Sequence, residues 1–377
     1  MSNQKSNSFN LSNLEKIKKI ILNSIKTIKL DLSGLTVLTE AASGNWAYTP
    51  FIAALSGASS VICITKNSKY GKSKEIIHNF DILSEYFDVQ KKVHVYDKIT
   101  KEIIGKANIV TNSGFLRPIN KQFINSMKKT AVISLMWEPW EFREEDLDLV
   151  ACTKHGIAIL GVNEDNKILN IMKYTGDNIL QILSENKISI KGKSVIIVVE
   201  NKSYFYMVEA LISHGAEVVL VSESLYDNLK DFGVTVVQDL KSLKAIQFLK
   251  KCDLIVINSA PLKKKVIGGN NDLSVSLLKK LNPDVKILVY FGNVDYARIK
   301  KAGLICYPKK NPGIGHMPWT LDFLGPRPTI ELHALGLKVG ELLAKYRLSG
   351  FDVAEAEKKA LKSPFCLGFT AKQKKTS

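Results

Sequence analysis

The stretch SVIIVVENKSYFYMVEALISHGAEVVLVSE, residues 194–223, holds two apolar, β-branched runs on either side of a helix-length segment. Continuous runs such as SVIIVV and EVVLVS are typical of strands buried on both faces of a parallel sheet. The stretch therefore predicts a strand, a helix and a second strand of a mostly parallel sheet.

The same alternation extends along most of the chain. Short β-branched runs alternate with helical segments, and this pattern predicts parallel sheets with helices on both faces. An amphipathic helix is expected near the start, in LSNLEKIKKIILNSIKTI, where apolar residues recur at helical spacing. The predicted strands are 35–39, 60–65, 92–96, 108–112, 131–136, 157–162, 194–199, 217–222, 234–238, 253–258, 286–291 and 304–308.

The 377 residues favour two domains over one. The strand pattern restarts after a helical stretch expected from about 166 to 184, which places a boundary near residue 165. We predict an α/β protein with two Rossmann-like, doubly wound domains and a cleft between them. Residues 1–165, joined by the C-terminal helix 329–377, would form one domain, and residues 166–328 the other.

Composition excludes several classes of protein. The net charge is +17, but the 53 basic residues include only five arginines, which does not favour nucleic-acid binding. The five cysteines are odd in number and widely spaced, so we expect buried thiols, and we predict no metal site. No long apolar run and no leader-like N-terminus occur, so a cytoplasmic protein without a membrane partner is expected.

Residues 107–164 resemble the second half of the substrate domain of D-2-hydroxyacid dehydrogenases. The segments 190–223 and 252–291 resemble the opening and the fourth and fifth strands of that family's cofactor domain. The resemblance covers roughly residues 100 to 325. It implies a flavodoxin-like substrate domain in residues 1–165, a dinucleotide-binding-type domain in residues 166–328, and an oxidoreductase that uses NAD or NADP. The residues that carry the first part are Asp146, Asp148, Leu149, Ala151, Cys152, Gly156, Ile157 and Asn163.

The dinucleotide turn departs from the family pattern. Such a turn needs three glycines, because backbone amides must approach the pyrophosphate closely. In this chain Val199, Asn201 and Tyr204 stand at those positions. We therefore predict weak or absent binding of NAD(H), with Lys202 as a partial electrostatic substitute. Two roles stay open for Glu223: an acceptor for a ribose hydroxyl, or an ordinary capping or solvated glutamate.

The catalytic residues that the resemblance implies are also displaced. The family's substrate-binding arginine follows the fifth strand, and the nearest arginine in this chain, Arg298, comes several residues late. The family's general-acid histidine is not at its expected position, and the nearest histidine, His316 in NPGIGHMPW, lies three places beyond it. Neither role transfers by position alone.

Polar residues follow the first predicted strand in TEAASGNW. Because ligands of open α/β sheets lie at the carboxyl ends of the strands, Glu40, Ser43, Gly44 and Asn45 are candidates for binding or proton transfer. The alternative is an ordinary capped turn.

Two further strand ends carry candidates. Asn112, Ser113 and Arg117 follow the fourth strand, and an arginine there could grip a carboxylate with its planar fork, or form a surface salt bridge. Glu138 follows the fifth strand, flanked by Trp137 and Trp140. Tryptophans around a carboxylate can raise its pKa by desolvation, as a general acid requires, so Glu138 is a catalytic candidate and Trp137 a substrate-binding one. The alternative is that the tryptophans pack a domain seam.

The stretch NPGIGHMPWTLDFLGPRPTIELH, residues 311–333, is dense in proline and glycine, which fixes the shape of a loop. It holds His316, our leading acid/base candidate because histidine titrates near neutral pH, although a structural histidine is the alternative. Trp319 and Arg327 in the same stretch are candidates for substrate binding.

Three functions remain open at this stage. The first is an NAD(P)-using oxidoreductase acting on a small carboxylate-bearing metabolite. The second is an enzyme without the dinucleotide, or one subunit of a hetero-complex, on the same scaffold, and the third is a non-catalytic binding paralogue. We also expect a homodimer, since cofactor domains of this kind commonly pair through helices.

Overall fold

The structure, a computed structural model, describes residues 11–199, 204–222, 233–259, 265–268, 273–313 and 317–369. It divides into two compact units. Unit 1 comprises Met1–Ile171 and Gly325–Ser377, and unit 2 comprises Met172–Leu324. The sequence-based limits at 165 and 328 thus lie a few residues from the observed ones.

Unit 1 contains a seven-stranded sheet. Its strands are β1 Thr36–Glu40, β2 Ser60–Ile64, β3 Val93–Tyr96, β4 Ile109–Thr111, β5 Val132–Ser134, β6 Ala158–Val162 and β13 Cys366–Leu367. They lie in the order β13-β6-β5-β4-β1-β2-β3, and all neighbours are parallel except β13, which pairs with β6 in antiparallel fashion. The two-residue β13 is too short for any sequence pattern to show, and it was not predicted.

Unit 2 contains a six-stranded, fully parallel sheet. Its strands are β7 Ser194–Val199, β8 Glu217–Val221, β9 Thr235–Val237, β10 Leu254–Asn258, β11 Lys286–Phe291 and β12 Ile305–Tyr307. They lie in the order β12-β11-β10-β7-β8-β9. Numbered within the unit and viewed from β9, this is the strand order 3-2-1-4-5-6 of dinucleotide-binding domains. Successive strands are added on one side of β7 up to β9, and on its other side from β10 onward, so the order of the strands switches between β7 and β10. The two-domain Rossmann-type α/β fold predicted from the sequence is confirmed.

Helices cover the faces of both sheets. In unit 1 these are α1 Leu11–Ile28, α2 Thr49–Leu55, α3 Ser73–Phe87, α4 Lys101–Lys106, α5 Lys121–Asn125, α6 Leu149–His155, α12 Pro326–Leu348 and α13 Val353–Ala360. In unit 2 they are α7 Tyr174–Glu185, α8 Tyr204–Ser213, α9 Leu243–Leu249, α10 Val275–Leu281 and α11 Tyr296–Lys301.

The helix α7 begins later than the sequence pattern predicted, at Tyr174 instead of about 166. The side chain of Asn166 accepts the backbone N–H groups of Ile168, at 3.1 Å, and Leu169, at 2.8 Å. An asparagine that bonds its own following backbone favours a turn over a helix. This turn explains the difference.

The helix α12 crosses the sheet of unit 1 antiparallel to its strands. A Cβ at Gly336 would lie 2.6 Å from Met136 Sδ, beyond the carboxyl end of β5, and one at Gly340 would lie 2.6 Å from Ile109 Cγ2, at the start of β4. Only glycine permits this approach of helix to sheet. The first turns of α12 therefore extend past the carboxyl edge of the sheet.

The described residues contain no helix that is both long and apolar enough to cross a membrane.

Candidate functional site

Glu40, at the end of β1, is held by backbone amides of the neighbouring strand connection. Its Oε2 accepts the backbone N–H of Phe115 at 3.0 Å. Burial raises the pKa of Glu40 above its ordinary value, while that N–H and the charge of Arg117 act in the opposite direction. A carboxyl group held in this way can exchange a proton nearer neutral pH than an exposed glutamate.

The guanidinium of Arg117 contacts several neighbouring groups of unit 1. Its Nε donates to Asn112 Oδ1 at 3.1 Å and one terminal nitrogen donates to the Asn112 carbonyl at 2.7 Å. The other terminal nitrogen lies 3.1 Å from Asp146, and the guanidinium lies 4.4 Å from the ring centroid of Trp137. The fork is thus engaged by protein groups, which favours a positioning role, and the proposed grip on substrate stays a prediction.

Hydroxyl groups line the same edge of the sheet. The Oγ1 of Thr111 lies 2.8 Å from Thr39 Oγ1 and 2.6 Å from Ser113 Oγ. Asn112 and Ser113 are both buried. The structure therefore brings together Glu40, Asn112, Ser113, Arg117 and Trp137, all candidates from the sequence.

The loop after β1 carries the other early candidates. Residues Gly44–Tyr48 form a single 3₁₀ helix, and Ser43, just before it, makes no side-chain cap but donates to the carbonyl of Tyr70 at 3.3 Å. Gly44 has φ +63°, which favours glycine, and Asn45 follows it within the 3₁₀ helix. A ligand role for Ser43, Gly44 and Asn45 stays a prediction.

Glu138 belongs to a group of three carboxyl groups after β5 and β6. Trp140 Nε1 donates to Glu138 at 2.6 Å, and the backbone N–H of Glu164 lies 3.4 Å from the same carboxylate. Burial raises the pKa of Glu138, and burial together with the charge of Glu138 raises that of Glu141 to about 7. Burial and the two neighbouring glutamates raise the pKa of Glu164 well above its ordinary value.

Glu141 and Glu164 were not among the candidates read from the sequence. Glu164 stands two residues after the end of β6, at a strand end, and this position could have marked it. Nothing in the sequence shows that three separate glutamates meet. Among the described residues, no group of histidine, cysteine, aspartate or glutamate side chains could hold a metal ion.

His333, on α12, was also missed. It is 4% exposed, its Nδ1 is hydrogen-bonded to Thr49 Oγ1, and its ring lies 5.1 Å from that of Trp46. Burial lowers the pKa of His333 to about 4, so the ring is neutral at physiological pH. The sequence could not mark this histidine, because its partner Thr49 lies 284 residues away along the chain.

The proline-rich stretch 311–333 divides between the two units. His316 lies outside the described residues, so its role stays a prediction. Trp319 is half-buried and packs against the core of unit 2. Arg327 belongs to unit 1, not to the second domain as predicted, because it lies in the first turn of α12. Its guanidinium lies 3.3 Å from Glu331.

The carboxyl edge of unit 2 has buried polar groups that are neutral, while the described charged residues after its strands, such as Asp239 and Lys309, are exposed. Ser222 follows β8, Asn258 ends β10 and Ser259 follows it; all three are buried. Val199, the last residue of β7, is 1% exposed and packs in the apolar core. Asn201, Lys202 and Glu223, and the side chain of Tyr204, lie outside the described part of the chain.

The order of the strands and the polar carboxyl edges define a two-domain α/β protein of Rossmann type. Solved structures of this class are similar to the chain: a dipicolinate synthase protein from Bacillus halodurans aligns with a TM-score of 0.55 at 12% identity, over 84% of this chain and 99% of its own. The A chain of dipicolinate synthase from Bacillus subtilis aligns with a TM-score of 0.54 at 10% identity, over 85% of this chain and 99% of its own.

A D-lactate dehydrogenase with NAD+ from Lactobacillus jensenii gives a TM-score of 0.50 at 10% identity, over 82% of this chain and 97% of its own. The resemblance to D-2-hydroxyacid dehydrogenases is thus confirmed as a likeness of fold, shared with dipicolinate synthase. No protein-family profile matches the chain, and no curated protein matches it in sequence.

Proposed function

We propose that the chain is an oxidoreductase of the 2-hydroxyacid dehydrogenase type, acting on a small metabolite that bears a carboxylate. The observation that carries the proposal is the strand order of unit 2, whose direction reverses between β7 and β10. In open α/β sheets such a switch point is the place where dinucleotides bind. A fold neighbour, D-lactate dehydrogenase, was solved with NAD+, which supports the same choice of cofactor.

The polar strand ends of unit 2 fit a nicotinamide dinucleotide, whereas the sequence after β7 does not. Ser222, Asn258 and Ser259 place buried polar groups at the carboxyl ends of β8 and β10, next to the switch point. The turn VENKSYFY after β7, however, has no glycine to let backbone amides approach a pyrophosphate. We therefore propose NAD or NADP as a weakly held cofactor, which when bound would exchange a hydride with the substrate.

Unit 1 supplies candidates for handling the substrate. Glu40, with its raised pKa, is suited to proton transfer, and Arg117 places a fixed positive charge beside it. Because the guanidinium already bonds Asn112 and Asp146, Arg117 would act through orientation and field more than through a free fork. His316 remains the leading acid/base candidate from the sequence, with Glu138 as a third.

Calorimetric titration with NADH and NADPH, followed by assay of a panel of 2-oxo acids for nicotinamide oxidation, tests this function. We expect a dissociation constant near millimolar, which corresponds to about −4 kcal/mol, and turnover of at least one small 2-oxo acid. His316→Gln and Glu40→Gln, assayed side by side, should each retain the fold, and the true acid/base residue should lose roughly 100-fold in turnover.

A second candidate is favoured by the turn without glycines. The chain would then be an enzyme without a dinucleotide, or one subunit of a hetero-complex; the fold neighbour from Bacillus halodurans is itself named as one subunit of its synthase. Absence of any nicotinamide binding at millimolar concentration, with an intact fold, would select this candidate. A low-micromolar dissociation constant, about −8 kcal/mol, would refute our interpretation of the turn.

We also propose a homodimer, from the family resemblance and the amphipathic helices. Sedimentation at micromolar concentration is expected to show twice the 41.9 kDa mass of the chain. A single species at the monomer mass would remove this proposal.

A further inference from the structure

Among the described residues, one ring nitrogen of His333 has a hydrogen-bond partner and the other has none. Its Nδ1 bonds Thr49 Oγ1, at the start of α2. The described residues provide no hydrogen-bond partner for its Nε2. The imidazole ring lies beside the half-buried ring of Trp46, with the two ring centroids 5.1 Å apart.

The bond to Thr49 decides which ring nitrogen carries the proton. Among the described residues, His333 is the one hydrogen-bond partner of the Thr49 hydroxyl, and Thr49 is buried. A buried hydroxyl needs an acceptor for its proton, and the neutral ring offers one at Nδ1. The ring must then be protonated at Nε2, so that an N–H group points away from Thr49.

Thr329 adds a second donor on the same face of α12. It lies four residues before His333, a spacing that places both side chains on one side of the helix. Thr329 is 1% exposed, and its Oγ1 has no partner among the described residues. A hydroxyl in a helix usually bonds the carbonyl of the preceding turn, so an unpartnered one indicates that a further group belongs there.

We propose that His333 Nε2–H and Thr329 Oγ–H form a two-donor binding site for a carbonyl oxygen, at the carboxyl edge of the unit 1 sheet. The position follows from α12, whose first turns extend beyond that edge. The ligand is a small 2-oxo acid, and in this respect the inference rests on the proposed function. No bond is made or broken in the step.

His333 and Thr329 are both uncharged donors, so we expect them to bind the 2-oxo group of the ligand and not its carboxylate. A carboxylate is bound most tightly by charged donors such as arginine, whereas a buried neutral imidazole cannot offset its charge. A carbonyl oxygen carries no net charge and needs only donors. Burial lowers the pKa of His333 to about 4, so the pair stays neutral under physiological conditions.

The tautomer is tested first, on the full chain labelled with ¹⁵N-histidine, by ring nitrogen shifts near neutral pH. We expect a neutral ring with the proton on Nε2, and a mixture of tautomers in Thr49→Val. A proton on Nδ1 in the unaltered protein would overturn the proposal, because Nε2 could then only accept. This readout does not depend on any dehydrogenase activity, so it separates the inference from the proposed function.

Binding is tested with pyruvate as the probe and acetate as the probe without a 2-oxo group. We expect pyruvate to shift the His333 Nε2 signal, and acetate at equal concentration to leave it unchanged. Equal shifts with both probes would assign the site to carboxylates, and no shift with pyruvate at saturating concentration would remove it. Either result overturns the proposal.

Thr329→Val distinguishes a ligand role from a structural one. Removing an unpartnered buried hydroxyl should raise the Tm, while the affinity for pyruvate falls roughly 3- to 10-fold, as loss of one neutral hydrogen bond predicts. Thr65→Val is the matched control, since Thr65 is also a fully buried threonine of unit 1 with a partnerless Oγ1. It should raise the Tm without changing the affinity, and a Thr329→Val protein that binds pyruvate unchanged would refute the site.

Discussion

The carboxyl edges of the two sheets differ in their chemistry, although both end parallel strands. In unit 1 the edge holds titratable groups, the half-buried Glu40 and Arg117 and the buried Glu164 and His333. In unit 2 the buried polar groups of the described edge, such as Asn258 and Tyr290, are neutral, and the arginine of its Arg298–Asp295 pair is exposed. Because buried charges respond to pH and to loss of a partner, while neutral groups respond to neither charge effect, the two edges should react differently to the same kinds of change.

The largest effect is expected from Arg117→Met. The substitution keeps volume and removes the charge that faces Asp146 and lowers the cost of a buried Glu40. Breaking a buried ion pair from one side costs about 3–5 kcal/mol, although Arg143, 2.9 Å from Asp146, reduces the loss. Urea unfolding measures it.

Arg298→Met in unit 2 is the control, since that side chain is 67% exposed and its ion pair is 3.7 Å long. An exposed pair contributes about 0–1 kcal/mol. Equal losses in the two variants would contradict the contrast between the edges.

The next effect is a dependence of stability on pH that arises from His333. Its pKa is lowered from 6.5 to about 4 in the folded chain, so between these values the unfolded chain binds a proton that the folded chain does not. Stability is therefore fully present above pH 6.5 and is lost as the pH falls toward 4, by about 3 kcal/mol. His333→Gln should flatten this part of the profile, whereas His78→Gln, at an exposed position, should leave it unchanged.

The sequence predicted the twelve longer strands to within one or two residues at each end, because continuous β-branched runs report burial on both faces. It also predicted that Glu40, Asn112, Ser113 and Arg117 follow strand ends. It could not show that Glu138, Glu141 and Glu164 share one volume, nor that His333 reaches Thr49, because these contacts depend on how α12 and the strand connections pack.

A smaller effect, of opposite sign in pH, is expected at Glu141. Its folded pKa is raised from 4.5 to about 7, so as the pH rises through this range the unfolded chain releases its proton first and stability falls. Glu141→Gln should remove this loss, about 2 kcal/mol, because Glu138 and Glu164 share the same protons. Unfolding at pH 4.5 and 7 measures it, with the exposed Glu144→Gln as control.

The smallest effect is expected at the neutral edge, from Tyr290→Phe in β11. Asn178 Nδ2 donates to the Tyr290 hydroxyl at 3.1 Å, and Asn178 Oδ1 is already without a partner among the described residues. Removing the hydroxyl leaves the buried amide with its donor unpaired as well, at a cost of about 1 kcal/mol. Because this hydrogen bond joins two uncharged groups, the loss should be the same at pH 5 and pH 8.

Urea unfolding at both pH values, with Tyr70→Phe at a 62% exposed position as control, checks this last expectation. A loss in Tyr290→Phe that changes with pH would mean that a charged group reaches this edge of unit 2. The contrast between a charged edge and a neutral one would then have to be abandoned. A constant loss would instead support the contrast, because it is the response expected of a hydrogen bond between two neutral groups.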